Sequence, residues 1–242
     1  MGRTDRDRGS REQAREIAEM FDKVAPRYDF LNRVLSLRLD AGWRKRAVQH
    51  ASLGPDQVAL DLGVGTGDLA FELLASSPSS ARVVGVDVSE GMLERVRTRA
   101  AASPVGSRFE ARSADAQALP FEARSFDRVV AGFSVRNFGD PSVGFREMRR
   151  VLRPDGRAVI LEFSTPPSRL VRTASDLYMH GLVPRVAALL GGEPDAYRYL
   201  PRSVAQFPGA ERLAELLRAA GFSRVRFERL ALGVVAIHVA EP

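Results

Sequence analysis

Apolar residues near the start of the chain recur three or four apart. Ile17, Met20 and Phe21 do so, and after a turn at Pro26 the stretch YDFLNRVLSLRLDAGWRKRAVQH does so again, which predicts two or three short helices before any strand. From Val58 the period changes. VALDLG (58–63) reads as a buried strand, 68–76 as a helix, RVVGVDVS (82–89) as a strand and 90–101 as a helix. Further strands are predicted at 107–114, 126–134 and 156–164, with a helix over 142–152 that Pro154, Asp155 and Gly156 cap. Residues 165–200 break this rhythm. Their apolar spacing is helical but interrupted by Pro184 and the GGEP turn, so they are expected to form a helical insertion over the sheet. The chain closes with a helix at 210–220, a Gly221 cap, and two strands, SRVRFERL and GVVAIHVAE, joined by a link short enough to demand an antiparallel hairpin.

Alternating strands and helices imply a parallel sheet covered on both faces, the doubly wound α/β arrangement. A sheet of this kind ending in an antiparallel hairpin is the architecture of class I S-adenosylmethionine-dependent methyltransferases: Rossmann-like, seven strands, mostly parallel. One domain is expected over residues 11–242, with an N-terminal helical cap at 11–52 and the insertion at 165–200. The first ten residues are charged and poor in apolar side chains, and are expected to be disordered.

Composition narrows the partners. With 36 Lys and Arg against 30 Asp and Glu the net charge is +6, which favours anionic partners, although an arginine-rich composition has no special partner by itself. The basic residues are scattered and aromatics make up only 7%, so no nucleic acid is expected. The absence of cysteine removes disulfides, thiolate metal sites and cysteine nucleophiles together. His50, His180 and His238 lack ligand spacing, so no metal site is expected and each histidine is read as structural. No apolar run reaches about 18 residues, which points to a cytoplasmic protein with at most transient, peripheral contact with an anionic membrane. Homo-oligomerisation is left open.

The segment LDLGVGTGDLAFELL (60–74) carries three glycines between a strand and a helix, and Gly65, Gly67 and Ala70 satisfy the dinucleotide pattern G-x-G-x-x-A. Asp87, 20 residues beyond Gly67 at the end of the next strand, suits a ribose of either NAD or S-adenosylmethionine, so spacing does not separate them. Charge does. Asp61 before the glycines and Asp68 after them would repel a pyrophosphate and attract sulfonium and ammonium groups, although Asp68 also suits the dipole of its own helix. Asp115 and Ala116, after the third strand, suit an adenine, with a turn as the plainer use of Asp115. The cofactor path thus predicted runs over Asp61, Gly63, Gly65, Gly67, Asp87, Val88, Asp115 and Ala116.

After the fourth strand stands AGFSVRNFGD and not the Asn/Asp-Pro-Pro-aromatic motif of nucleic-acid amino methyltransferases. Methylation at carbon without a cysteine adduct requires a substrate already electron-rich at carbon, such as a phenolate or hydroquinone. AGFSVRNFGD, YDFLNRVLSLRLDAGW and RVLRPDGRAVILEFS together resemble the ubiquinone/menaquinone biosynthesis C-methyltransferase family, most of all its demethylmenaquinone branch. Its first signature matches at Tyr28, Asp29, Asn32, Leu35, Ser36 and Trp43, with Leu31 replacing Met and Asp40 replacing His; the second matches at Arg150, Val151, Leu152, Pro154, Gly156, Glu162 and Ser164, with Arg153 and Asp155 departing. YRYLPRSVAQFP is also similar, so the likeness spans about residues 17 to 240.

The resemblance implies S-adenosylmethionine as co-substrate and a lipid-tailed demethylmenaquinol as methyl acceptor; a ubiquinone precursor or another small phenol is the alternative. It adds Thr66 to the cofactor contacts. A serine often found in the fourth-strand motif has no clear counterpart, Gly132 standing there and Ser134 two positions on. Asp40 removes an imidazole base from its position. Arg136 is expected to stabilise a phenolate, with a structural ion pair as the competing use. Asn137 is expected to orient the acceptor hydroxyl, Tyr28 and Asp29 to close the site, and Asp68 either to take a proton or to anchor the cofactor. Leu177, Met179, Leu182 and Val183 of the insertion are expected to wall the quinone, or simply to pack in the core.

Overall fold

Successive residues of the strands send their side chains to opposite faces of one sheet, and this parity divides the core in two. Ala59, Val130, Val159 and Leu161 join one buried cluster, while their neighbours Leu60, Val129, Ala131, Ala158 and Ile160 join the other. A sheet buried on both faces needs apolar residues at nearly every position, which is why VVAG reads as an unbroken apolar run and VALDL as one broken only by Asp61. A computed structural model describes residues 16–22, 34–36, 38–189 and 194–242, the side chains at 187 and 194–198 left aside.

Seven strands, β1 (Val58–Leu62), β2 (Arg82–Asp87), β3 (Phe109–Ser113), β4 (Phe126–Gly132), β5 (Leu152–Phe163), β6 (Arg224–Leu230) and β7 (Val235–Glu241), lie in the order β3-β2-β1-β4-β5-β7-β6. β1 to β5 pair in parallel, and β7 runs antiparallel between β5 and β6. The expected fold class is therefore the observed one. The first face is covered by α1 (Leu39–Ala51), α2 (Asp68–Ala75) and α3 (Glu90–Ala102), the second by α4 (Pro141–Val151) and α8 (Ala210–Ala219). The insertion forms α5 (Arg169–Leu177), α6 (Val183–Leu189) and α7 (Pro194–Gln206). Among the described residues no helix is long and apolar enough to cross a membrane.

Local chemistry explains the ends of these elements. Ser89 caps α3 by accepting from the Met92 amide at 3.1 Å, and Asp140 caps α4 from the Ser142 amide at 2.9 Å, with Pro141 placed where a helix needs no N–H. At the end of α8, Gly221 takes φ +101° while the amides of Gly221 and Phe222 return to Arg218 and Leu217, the doubled closure that only a left-handed residue allows. Two of the boundaries that differ from the sequence reading have a visible cause. The Pro154–Gly156 segment is no helix cap: α4 stops at Val151 and the segment is absorbed into β5, where pairing with β4 shifts register between Phe126 and Arg128. β4 ends at Gly132, two residues early, because Phe133 turns to φ +57° and Val135–Asn137 coils into a tight turn. Ahead of Pro184, whose ring would clash with the carbonyl four residues back, the chain widens to a π-turn at Tyr178–Leu182.

Candidate active site

Strand order reverses between β2 and β4 on either side of β1, which leaves a crevice at the carboxyl ends of these strands. The glycine loop closes the bottom of it. Gly63 and Val64 amides donate to the Val86 carbonyl at 2.8 and 2.9 Å, tying the loop to β2. Gly63 sits at φ +67°, and a Cβ there would lie 2.4 Å from that of Ser134; Gly65, at φ +52°, faces open space. A loop so built is held from below and bare above, so a ligand can approach its backbone. The Gly65 amide donates to Asp87 Oδ2 at 2.8 Å, and the Ser89 amide to Oδ1 at 3.0 Å. Burial pushes the Asp87 carboxyl above its usual range against these two amides, and nearby Asp22 adds to the rise.

A narrow cleft runs from this loop past Asp87, Val88, Asp115, Ala116 and Gln117 to Asn137, with Ile17 and Phe21 also lining it. Asp115 Oδ1 accepts from the Gln117 amide at 2.8 Å, so the turn use of Asp115 and its place in the cleft hold together. Ile17 and Phe21 arrive on helical residues 16–22, pinned by Asp22, whose Oδ1 accepts from Ser89 Oγ at 2.5 Å and from the Gly91 amide at 3.0 Å. Their spacing of four was the only sign of this role in the sequence.

The two acids flanking the glycines have unlike surroundings. Asp61 is 1% exposed, and its Oδ2 has no hydrogen-bond partner. Desolvation first, then the charge of Asp87, pushes its carboxyl up to about 8. Asp68 instead sits in a ladder of charges. Asp40 Oδ2 accepts from Arg44 at 2.6 Å, Arg44 reaches Asp68 at 3.3 Å, and Arg99 holds Asp68 at 2.6 Å and the Thr66 carbonyl at 3.0 Å. Two guanidiniums neutralise Asp68, so its charge no longer discriminates between cofactors as the sequence reading supposed; Asp61 is the acid left with an unspent oxygen. Desolvation would raise Asp40, but the Ser36 hydroxyl and Arg44 outweigh it and hold the carboxyl below its usual range.

A second, wider cavity of about 440 Å³ opens beside the first, and the two share Gly63, Gly65, Gly132 and Phe133. Aromatic rings furnish it: Phe133 lies 6.2 Å from Trp43 and 5.1 Å from Phe163, centroid to centroid. Arg136 also lines it, with its guanidinium 5.4 Å from the Phe163 ring. Its side chain is 6% exposed and ion-paired at 3.0 Å with Glu162, which is 1% exposed. Glu162 further accepts from the Phe163 amide, while Arg136 Nη1 donates to the Phe133 carbonyl and Nε keeps no partner. The ion-pair reading of Arg136 and its place at the cavity are thus both realised.

Other expected residues fall elsewhere. Asn137 lines the narrow cleft, not the wide cavity, and its Oδ1 accepts from the Tyr199 hydroxyl at 3.1 Å. Ser134 donates to the Leu62 carbonyl at 2.6 Å while lining the narrow cleft, and Gly132 borders both. Thr66 and Asp68 line the wide cavity, and Gly67 caps α2 at φ +87°. Of the insertion, Met179 and Val183 line the cavity, joined by Val171, Ala174 and Tyr178. Leu177 and Leu182 do not: they are 74% and 50% exposed, Leu177 at the end of α5 and Leu182 at the end of the π-turn. Tyr28 and Asp29 lie outside the described residues. Glu162, Tyr199, Phe133 and Phe163 were not foreseen as site residues. Among the described residues no group of histidines and acids could hold a metal.

Comparison with known proteins decides the family. The model of the ubiE/COQ5 methyltransferase family matches residues 8–241. The chain belongs to this family. The demethylmenaquinone methyltransferase of Thermus thermophilus is 46% identical over 222 residues, covering 92% of this chain and 99% of that one; that of Deinococcus radiodurans is 43% identical over 230 residues, covering 95% and 94%. A crystal structure of a SAM-dependent methyltransferase from Thermotoga maritima shares the fold at a TM-score of 0.66 and 20% identity, covering 92% of this chain and 98% of that one. Of the residues quoted for the two signatures, Trp43 on α1 lines the wide cavity, and Glu162 on β5 is linked to it through its ion pair with Arg136.

Proposed function

We propose that the chain is a demethylmenaquinone methyltransferase, moving a methyl group from S-adenosylmethionine to the ring carbon of demethylmenaquinol. The observation that carries this reading is the junction at Gly63, Gly65, Gly132 and Phe133, where a narrow acidic cleft meets a wide aromatic cavity. The residues present fit the co-substrate: in the narrow cleft Asp87 and Val88 suit its ribose and Asp115 and Ala116 its adenine, and on the wide-cavity side of the junction the unspent Oδ2 of Asp61 suits its cationic end. When bound, that group supplies an electrophilic methyl.

Everything else falls to the chain. Trp43, Phe133 and Phe163 hold a flat ring against the junction, and apolar Val171, Met179 and Val183 receive the start of its tail. The ring carbon becomes nucleophilic when a neighbouring hydroxyl gives its proton to water at the cavity mouth, and the permanently cationic Arg136 stabilises the oxyanion so formed. As the carbon gains the methyl the carbon–sulfur bond breaks, and the ring proton it displaces passes by water to the oxygen, restoring the hydroxyl. Glu162 fixes the guanidinium in place. Asp40 is a poor base because the Ser36 hydroxyl and Arg44 hold its carboxyl below the usual range, and Asp68, paired with Arg44 and Arg99, anchors the glycine loop.

Label transfer from S-adenosylmethionine to reduced and to oxidised demethylmenaquinone tests the reading. The reduced form alone should accept label; equal labelling of both would refute activation through the hydroxyl. Arg136→Lys should lower turnover by about 10²-fold with cofactor affinity little changed.

A further inference from the structure

Six large apolar side chains stand exposed among the described residues: Leu39, Leu170, Leu177, Leu182, Leu189 and Leu232. Their location is not random. Leu39 and Leu232 line the wide cavity, and the other four sit on α5, the π-turn and α6, which cover its mouth. Scattered exposed leucines need no explanation, but a set confined to one rim does. α5 has no buried residue at all. Its Val171, Ala174 and Tyr178 edge faces the cavity, while Leu170 and Leu177, seven residues apart and 84% and 74% exposed, form a stripe along the outer edge. On α6, Leu189 is 87% exposed.

The charges beside these leucines are mostly of one sign. Arg169, Arg172 and Arg185 are exposed over the same two helices, against a single acid, Asp176. Protruding leucines flanked by arginines match an interface where apolar side chains enter lipid and cations remain among anionic headgroups. A second copy of the chain seated here would cover the residues that line the cavity mouth, whereas a bilayer leaves the mouth open to an acceptor dissolved in it.

We propose that this face docks on an anionic lipid bilayer, with Leu170, Leu177 and Leu189 entering the headgroup region and the cavity mouth opening toward the lipid phase. The choice of lipid as occupant rests in part on the lipid-tailed acceptor proposed above. A methyl acceptor dissolved in the membrane then reaches the aromatic rings without crossing water.

The test uses the full chain and phosphatidylcholine vesicles with and without phosphatidylglycerol, read by co-sedimentation. The wild type should bind the anionic vesicles, and a Leu170→Ser, Leu177→Ser, Leu189→Ser triple variant should bind at least about tenfold less, since each leucine loses apolar burial. None of the three lines the cavity, so turnover of a tail-less demethylnaphthohydroquinone in solution should stay within about twofold of wild type while turnover of the prenylated acceptor in vesicles falls with binding. As a second reading, the emission of Leu177→Trp should shift to the blue when vesicles are added. Equal vesicle binding by wild type and triple variant would overturn the proposal, as would no binding by wild type. A wild-type dimer that the triple variant splits would overturn it too, assigning the face to a second copy. Failure of the wild type to methylate the tail-less acceptor would count against the proposed reaction alone, because vesicle binding is read without turnover.

Discussion

Replacing Asp61 by Asn probes the one buried acid whose second oxygen is unspent. Its carboxyl titrates at about 8 in the folded chain, against 3.8 for an unperturbed aspartate. The folded state therefore holds a proton that the unfolded chain gives up, and stability falls as pH rises from about 4 to 8. At pH 7, about three units above the unfolded value, this costs about 4 kcal/mol at 1.36 kcal/mol per unit. Asn removes the titration but puts an N–H₂ where Oδ2 had no partner, at a cost of about 1–3 kcal/mol. The variant should thus be as stable as wild type or more so at pH 7, with a flatter pH profile in urea unfolding. Binding should report the same group. A cation beside Asp61 drives off its proton, so a carboxyl with a value of about 8 should release about 0.9 proton per S-adenosylmethionine bound at pH 7. Calorimetry in buffers of different ionisation enthalpy measures that number, and Asp61→Asn, which also controls for the ligand's own amino group, should lack the release and bind about tenfold or more weakly. Equal proton release by the two proteins would refute the reasoning.

Three further outcomes are expected. Glu162→Gln leaves the Arg136 guanidinium buried without its counter-charge and should destabilise the fold by about 3–5 kcal/mol, read from the urea midpoint. Gly63→Ala places a methyl 2.4 Å from the Ser134 Cβ in a left-handed backbone; it should lower the thermal midpoint by several degrees, and adding Ser134→Gly should recover part of the loss. His238, buried with Nε2 against the Ala210 carbonyl and Nδ1 unpartnered, is pushed down to about 4 chiefly by desolvation. Its folded value lies below the ordinary 6.5, so its contribution is intact above pH 6.5 and about 3 kcal/mol is lost as pH falls toward 4, a loss that His238→Gln should abolish in an acid unfolding series.

The sheet and the cleft beside the glycine loop were legible because their signals are local. Buried parallel strands are continuous apolar runs, Asp87 sits at a strand end, and the glycines sit where a strand turns into a helix. What was illegible depends on partners far along the chain. Nothing near Arg136 announces Glu162, 26 residues away, and nothing near Asp68 announces Arg44 and Arg99, 24 and 31 residues off on other helices. The charge argument at the glycine loop did not foresee that Asp68 is paired, for that reason. Phe133 escaped notice because its left-handed backbone, which brings its ring between Trp43 and Phe163, leaves no trace in residue type. The reading of Pro154–Gly156 as a cap missed that a turn tripeptide serves equally well as a bulge inside a strand.

The four residues common to both cavities carry a consequence for the order of events. Under the proposed function, a co-substrate in the narrow cleft becomes part of the wall against which the aromatic ring rests, so neither ligand would meet its full binding surface until the other had arrived. By linkage, the factor by which one tightens the other is the same in both directions. The spent co-substrate and the methylated ring, which now press a finished methyl group between them, lose that mutual gain together, and the shared wall that favours their assembly then favours their release.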